Sequence, residues 1–117
     1  KSLHEFRVKG SAEEPYTIVF RRQGVSLNGY CNCPAGKKGQ MCKHRINILK
    51  GSDKGVVDPD PVAIGEVVSW LSGSDIEQPF AEIQKMEGQL DALKKELDVL
   101  RRHLTRAKKG LARSMRD

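Results

Sequence analysis

Three cysteines and one histidine lie within a fourteen-residue segment of the chain, in the pattern C-x-C-x8-C-x-H. They are Cys31, Cys33, Cys42 and His44. Thiolate and imidazole groups are favoured zinc ligands, and four of them fill a tetrahedral site without leaving a position for water. The chain has three cysteines in all, and an odd number suits metal ligation in a reducing compartment better than a disulfide framework. We therefore expect a structural Zn²⁺ site and no enzymatic activity. The alternative is a set of buried thiols beside an unrelated surface histidine.

The spacing of these residues restricts the elements that can position them. On an extended segment, side chains two residues apart point the same way, so Cys31 and Cys33 can face one ion where a strand ends. In a helix, residues two apart point in nearly opposite directions. Cys42 must therefore stand at or before a helix start, with His44 in the first turn and Gly51 ending the helix.

The residues before the cysteines predict a small antiparallel sheet. Runs rich in strand-forming residues cover 3–9, 16–22 and 25–30, and turn residues separate the first two. The alternative for the first run is a loose terminus. In the helix after the last cysteine, we expect Ile46 and Leu49 to pack inward.

Residues 16–49, with C-x-C and C-x-H placed after two strands and before a short helix, resemble a SWIM-type zinc finger. That family carries its ligands on a ββα framework. The resemblance implies that Cys31, Cys33, Cys42 and His44 are the zinc ligands. It also implies a role in binding DNA or proteins, because family members occur in transposases, chromatin-remodelling ATPases, recombination factors and ubiquitin-ligase-like signalling proteins.

A second helix is predicted within residues 56–74. Asp60 suits its N-cap and Pro61 its first position. Apolar residues recur at helical spacing on one face, at Ile64, Val67, Val68 and Leu71. This pattern predicts a structural helix that packs onto the sheet, followed by a hinge at residues 72–74.

The C-terminal third of the chain has the heptad pattern of a coiled coil. Apolar residues alternate at spacings of three and four, at Ile83, Met86, Leu90, Leu93, Leu97, Leu100, Leu104, Ala107 and Leu111. A helix over residues 81–114 would be about 51 Å long at 1.5 Å per residue, which the N-terminal module cannot cover. We expect this apolar stripe, called the seam below, to be buried by another chain.

The charges beside the seam favour a parallel homodimer. In a parallel pair, Glu96 faces Arg101, whereas an antiparallel pair centred on the seam sets Lys94 against Arg101. Leucine at most a positions is not the strongest code for two strands, so a trimer remains an alternative. A helix from a different protein is the other alternative occupant of the seam.

Basic charge lies at the two ends of the chain. Residues 1–55 carry a net charge of +7, residues 56–80 carry −5, and residues 101–117 hold seven bases and one acid. The bases expected to contact nucleic acid near the metal are Arg21, Arg22, Lys37, Lys38, Lys43, Arg45 and Lys50. Basic side chains are suited to phosphate contact. The alternative is that they form a solvated surface that only keeps the protein soluble.

These patterns predict an α+β protein in three parts. A ββα zinc module spans residues 1–55, a packing helix and hinge 56–74, and a coiled-coil helix with a basic tail 75–117. We expect a non-enzymatic, dimeric, cytoplasmic protein without a membrane span that binds DNA or RNA. The alternative is a protein-interaction adaptor or small regulator of a larger DNA-processing or defence machine.

Overall fold

The structure of the protein is a computed structural model, which describes residues 2–116. It contains three strands and four helices in the described residues, in the order β1 (Leu3–Val8), β2 (Tyr16–Gln23), β3 (Ser26–Cys31), α1 (Pro34–Lys37), α2 (Lys43–Leu49), α3 (Pro61–Ser69) and α4 (Glu77–Ser114). The predicted α+β class is confirmed. The short helix α1 was not predicted.

The three strands form an antiparallel sheet in the order β1-β2-β3. Ile18 in β2 pairs with Phe6 on one side and with Cys31 on the other, so these three side chains share the inner face. Phe6 and Phe20 meet edge to face, with ring centroids 6.4 Å apart. The sheet thus places Cys31 at the end of a strand whose inner face is buried.

The core lies between this inner face and helices α2 and α3. Ile18, Phe20, Ile48 and Val67 are almost completely buried. In α2 the inward residues are Ile48 and Leu49, whereas Ile46, which the sequence placed inward, is only half-buried. Residues four apart share a helix face, so the face that holds a buried residue 44 also carries residue 48.

Helix α3 begins as the sequence predicted. The Asp60 side chain accepts hydrogen bonds from the backbone N–H groups of Val62 and Ala63, and Pro61 is the first helical residue. The helix packs against α2. His4 of β1 contacts the end of α3, where its ring stacks on that of the C-cap residue Trp70, with ring centroids 5.3 Å apart.

The segment after α3 is held by hydrogen bonds between its backbone and residues of β2 and the β2–β3 turn. Arg22 donates hydrogen bonds to the carbonyl oxygens of Trp70 and Ser72, the second at 3.3 Å. Asp75 donates its N–H to the carbonyl oxygen of Val25 at 2.7 Å. The helix ends at Ser69, so the apolar face predicted to continue to residue 71 extends past its last turn.

Helix α4 has 38 residues and is about 57 Å long at 1.5 Å per residue. It begins four residues before the predicted start, and Pro79 falls in its first turn, where a missing N–H is tolerated. The described residues divide into two compact units, one ending at Gln78 and one beginning at Pro79. Among residues 2–116, no helix is both long and apolar enough to cross a membrane.

Candidate metal centre

The four predicted ligands lie together at the end of the sheet. Cys31, Cys33, Cys42 and His44 are all buried, and their potential ligand atoms lie within 4.8 Å of one another. Each has a distinct structural position. Cys31 ends β3, Cys33 caps the N-terminus of α1, and Cys42 precedes α2 as its N-cap, with His44 in the first turn. The placement of the last pair follows the spacing argument from the sequence.

Gly36 in α1 holds the first two cysteines in place. Its backbone N–H donates a hydrogen bond to Cys33 Sγ at 3.3 Å. A β-carbon at residue 36 would overlap the carbonyl oxygen of Cys31. Pro34 fits at the start of this helical turn, where its missing N–H costs nothing. A Pro-x-Gly sequence directly after a cysteine is the signal that could have predicted α1.

Arg45 braces the other side of the cluster. Its Nε donates to Cys42 Sγ at 3.3 Å, and its terminal nitrogens donate to the carbonyl oxygens of Gly29, at 3.1 Å, and Gln40. One guanidinium therefore joins a cysteine, strand β3 and the loop before α2. Its spacing of three from Cys42 at the start of a helix is the sequence signal for this contact.

The surroundings of the cluster shift the pKa values of its members. Burial raises the pKa of Cys31 to about 12, and the neighbouring sulfur atom of Cys42 contributes to the rise. Burial also raises the pKa of Cys42, but the hydrogen bonds from Arg45 and Cys33 and the positive charge of Arg45 together outweigh it and leave that pKa below its ordinary value. The pKa of His44 is lowered by burial and by the positive charge of Lys43, which favours the neutral imidazole needed for ligation.

The donor set fits a zinc ion. Tetrahedral zinc with bonds of about 2.0–2.3 Å requires ligand atoms roughly 3.5–3.8 Å apart. Cys31 Sγ lies 3.9 Å from His44 Nδ1, close to that requirement. The other ring nitrogen of His44, Nε2, is buried and has no hydrogen-bond partner among the described residues. These four residues could hold a metal ion, for which three thiolates and an imidazole favour zinc.

The β1–β2 hairpin covers the histidine side of the cluster. The ring of Tyr16 lies 5.2 Å from the ring of His44 between centroids. A β-carbon at Gly10 would collide with the Tyr16 ring and would lie 3.4 Å from His44 Nε2. Sequence reasoning missed both residues, because nothing local shows that the hairpin returns over the metal ligands.

The bases assigned to nucleic-acid contact have two kinds of surroundings. Arg45 and Arg22 are partly buried, and their guanidinium groups donate to backbone carbonyls of the fold. The remaining five are exposed, namely Arg21, Lys37, Lys38, Lys43 and Lys50. Two of the seven therefore have clear roles within the chain. Lys37 ends α1, Lys38 follows it as the C-cap, and Lys43 begins α2.

The seam residues form an apolar stripe on α4. Their larger side chains are exposed, from 45% at Leu97 to 64% at Leu100, while Ile83 is half-buried. Phe80 is the buried residue of this helix within the described part of the chain. The stripe offers an extended apolar surface for another helix.

No family model, curated protein or solved structure matches the chain. The SWIM assignment accordingly stays a resemblance carried by the ligand pattern, whereas the Cys31-Cys33-Cys42-His44 cluster is present in the structure.

Proposed function

We propose that this protein is a non-enzymatic zinc-binding protein that dimerises through α4 and binds nucleic acid through exposed bases beside the metal centre. The observation that carries the proposal is the buried set of four ligand atoms within 4.8 Å, positioned by the same short elements that expose Lys37, Lys38 and Lys43. The ion would stabilise these elements and hold the lysines in a fixed arrangement.

A structural role suits this donor set better than a catalytic one. Four protein ligands complete the tetrahedral coordination of zinc, whereas catalytic zinc keeps a position for water or substrate. Three thiolates and one Zn²⁺ together carry a net charge of −1, so the ion itself would not attract phosphate. The surrounding bases must supply that attraction, and the exposed lysines next to Cys42 and Cys33 are suited to it.

Dimerisation is supported by the exposed seam. A long helix with leucines open to water is poorly stable alone, and most of its stability must come from packing. A second copy supplies a complementary stripe, and a parallel arrangement pairs Glu96 of one helix with Arg101 of the other. Two zinc modules on one dimer would raise the avidity for a repetitive polyanion.

A protein-interaction adaptor is the second candidate function. It is favoured by apolar side chains exposed on the zinc-binding unit, among them Tyr30 at 54% and Val25 at 68%. Exposed aromatic and aliphatic side chains suit contact with another protein better than contact with phosphate.

Fluorescence anisotropy with labelled duplex and single-stranded DNA at low salt tests the nucleic-acid proposal on the full chain. We expect binding that weakens with salt, with a slope of about −0.9 per phosphate contact on duplex. The double variant Lys38→Gln, Lys43→Gln should make that slope less steep. The control Lys9→Gln, Lys54→Gln removes the same charge from exposed lysines outside the ligand-bearing elements and should leave it unchanged. No detectable binding of either probe would favour the adaptor.

A further inference from the structure

The C-terminal end of α4 and the two described residues after it carry only positive charge, and this cluster is called the basic end below. It consists of Arg101, Arg102, Arg106, Lys108, Lys109, Arg113 and Arg116. All seven residues are exposed, and no described acidic residue forms an ion pair with them. Residues 101–116 contain no acid, so the cluster has a net charge of +7 over about 23 Å of chain at 1.5 Å per residue.

The rest of the same helix has a different charge pattern. Residues 77–100 hold six acids and three bases, and Asp91 and Lys95 form an ion pair at 3.3 Å. A helix whose charges only maintain solubility mixes both signs along its length. In α4 the two signs are separated, which concentrates an electrostatic field at one end of the helix.

The basic end remains accessible when the seam is covered. In α4, Arg102, Arg106, Lys109 and Arg113 occupy c and f positions of the heptads, Arg101 and Lys108 occupy e positions, and the seam uses a and d. The c and f positions lie on the side of the helix away from the partner, whereas the e positions flank the seam, where Arg101 faces Glu96 of the partner helix in a parallel pair. A dimer would therefore present two outward arcs, each with four positive charges, with Lys108 at its edge.

The residue composition of the basic end favours one kind of anionic partner over others. No Phe, Tyr or Trp follows Phe80, so α4 beyond that residue lacks the large aromatic side chains on which unpaired bases stack best. Insertion into a lipid surface needs a free apolar face, and the apolar face of α4 is the seam that the partner covers. A phosphate backbone of fixed geometry needs neither feature.

We infer that the basic end of α4 binds the phosphate backbone of double-stranded nucleic acid, without reading its sequence. This inference rests on the proposed function, because the dimer covers the seam and leaves the basic arcs outward. The contacts are charge-assisted hydrogen bonds from arginine and lysine to phosphate oxygens, which give affinity and register but no base information.

The test is a salt titration of the full chain on a labelled mixed-sequence duplex. The variant Arg106→Gln, Lys109→Gln removes two charges at c and f positions of the basic end. The control Lys85→Gln, Lys95→Gln removes two charges at c and f positions of the acidic half. We expect the first variant to flatten the salt slope by about two contacts per chain and to lower the affinity at least about tenfold near 0.1 M salt. The control should match the parent, and circular dichroism should show equal helix content in all three.

The Lys38→Gln, Lys43→Gln variant, measured in the same titration, separates the possible outcomes. If the parent binds duplex and only that variant changes the slope, the inference is overturned and the proposed function stands. If only the basic-end variant changes it, the inference stands and the role of the lysines beside the metal fails. If the parent binds neither duplex nor single strand at low salt, both fail; if it binds only the single strand, the inference fails and the proposed function stands. Tighter binding of a single strand, or binding only to phosphatidylserine vesicles, would also overturn the inference.

Discussion

Gly36 approaches Cys31 so closely that any side chain at residue 36 would overlap the Cys31 carbonyl oxygen. The same glycine donates its N–H to Cys33 Sγ at 3.3 Å. One residue without a side chain therefore sets the position of two candidate metal ligands. Hydrogen bonds of this kind orient ligands and tune a metal site from outside its first coordination sphere.

Gly36→Ala should weaken both folding and metal binding. The added methyl group must push α1 away from the end of β3, and overpacking of this kind costs about 1–3 kcal/mol. Gly65→Ala is the matched control, because a β-carbon there meets no atom within 4 Å and the residue lies inside α3. It should stabilise the protein by about 0.5–1 kcal/mol. Thermal unfolding of both variants with zinc present checks the pair, and equal melting temperatures would contradict the close packing at Gly36.

Zinc removal should unfold the N-terminal unit. Structural zinc contributes apparent free energies of about 10–16 kcal/mol in small zinc-finger peptides, and the core here has few large apolar side chains. We expect one zinc per chain by elemental analysis, and its loss in Cys33→Ser and His44→Ala. Chelation should abolish near-ultraviolet dichroism while much of the helical signal from α4 survives. A zinc-free preparation with unchanged near-ultraviolet dichroism would contradict a structural metal.

Arg45→Gln should destabilise the metal centre, whereas Lys43→Gln should not. Both substitutions remove one positive charge from α2, but only Arg45 donates to Cys42 Sγ and to the carbonyl oxygen of Gly29. Hydrogen bonds to charged groups contribute about 1.5–3 kcal/mol, and a thiolate gains from such a donor. Competition with a chromophoric chelator measures zinc affinity in the two variants. Equal affinities would show that the guanidinium contact is dispensable.

Metal binding should release protons from the ligands, and zinc affinity should therefore fall as the pH is lowered. A cysteine thiol with its ordinary pKa is mostly protonated at pH 7, and burial in the folded site, which raises the pKa of Cys31 to about 12, favours that proton further until a metal displaces it. The imidazole of His44 has a lowered pKa and is already neutral at pH 7. We expect at least one proton released per zinc bound at pH 7, and about a tenfold loss of affinity per pH unit for each such proton. An indicator dye in weakly buffered solution measures the release, and a value of zero would contradict ligation by the cysteine thiolates.

The candidate ligands could be predicted from the sequence because their residue types and spacing are local features. Features of the site that depend on tertiary contacts could not be predicted in this way. The spacing of Cys42 and His44 restricts their backbone to a helix start whatever surrounds them, and the structure has that arrangement. The role of Arg45 depends on the carbonyl groups of Gly29 and Gln40, which come within reach of its guanidinium only when the chain has folded. Its charge alone therefore predicted phosphate contact. The seam is covered only in an assembly of chains. Its occupant therefore cannot be predicted from the sequence or from the structure of a single chain.

Charging the seam should undo self-association, and charging the neighbouring face should not. Leu97→Glu, Leu100→Glu places two carboxylates per chain at facing a and d positions, where burial of unpaired charge is strongly unfavourable. Val99→Glu is the matched control, because Val99 is 42% exposed at a c position outside the seam. Sedimentation at micromolar concentration should give a dimer for the parent and for the control, and a monomer for the seam variant. Because an exposed leucine stripe requires some partner, a monomeric parent would indicate a helix from a different protein as the occupant of the seam.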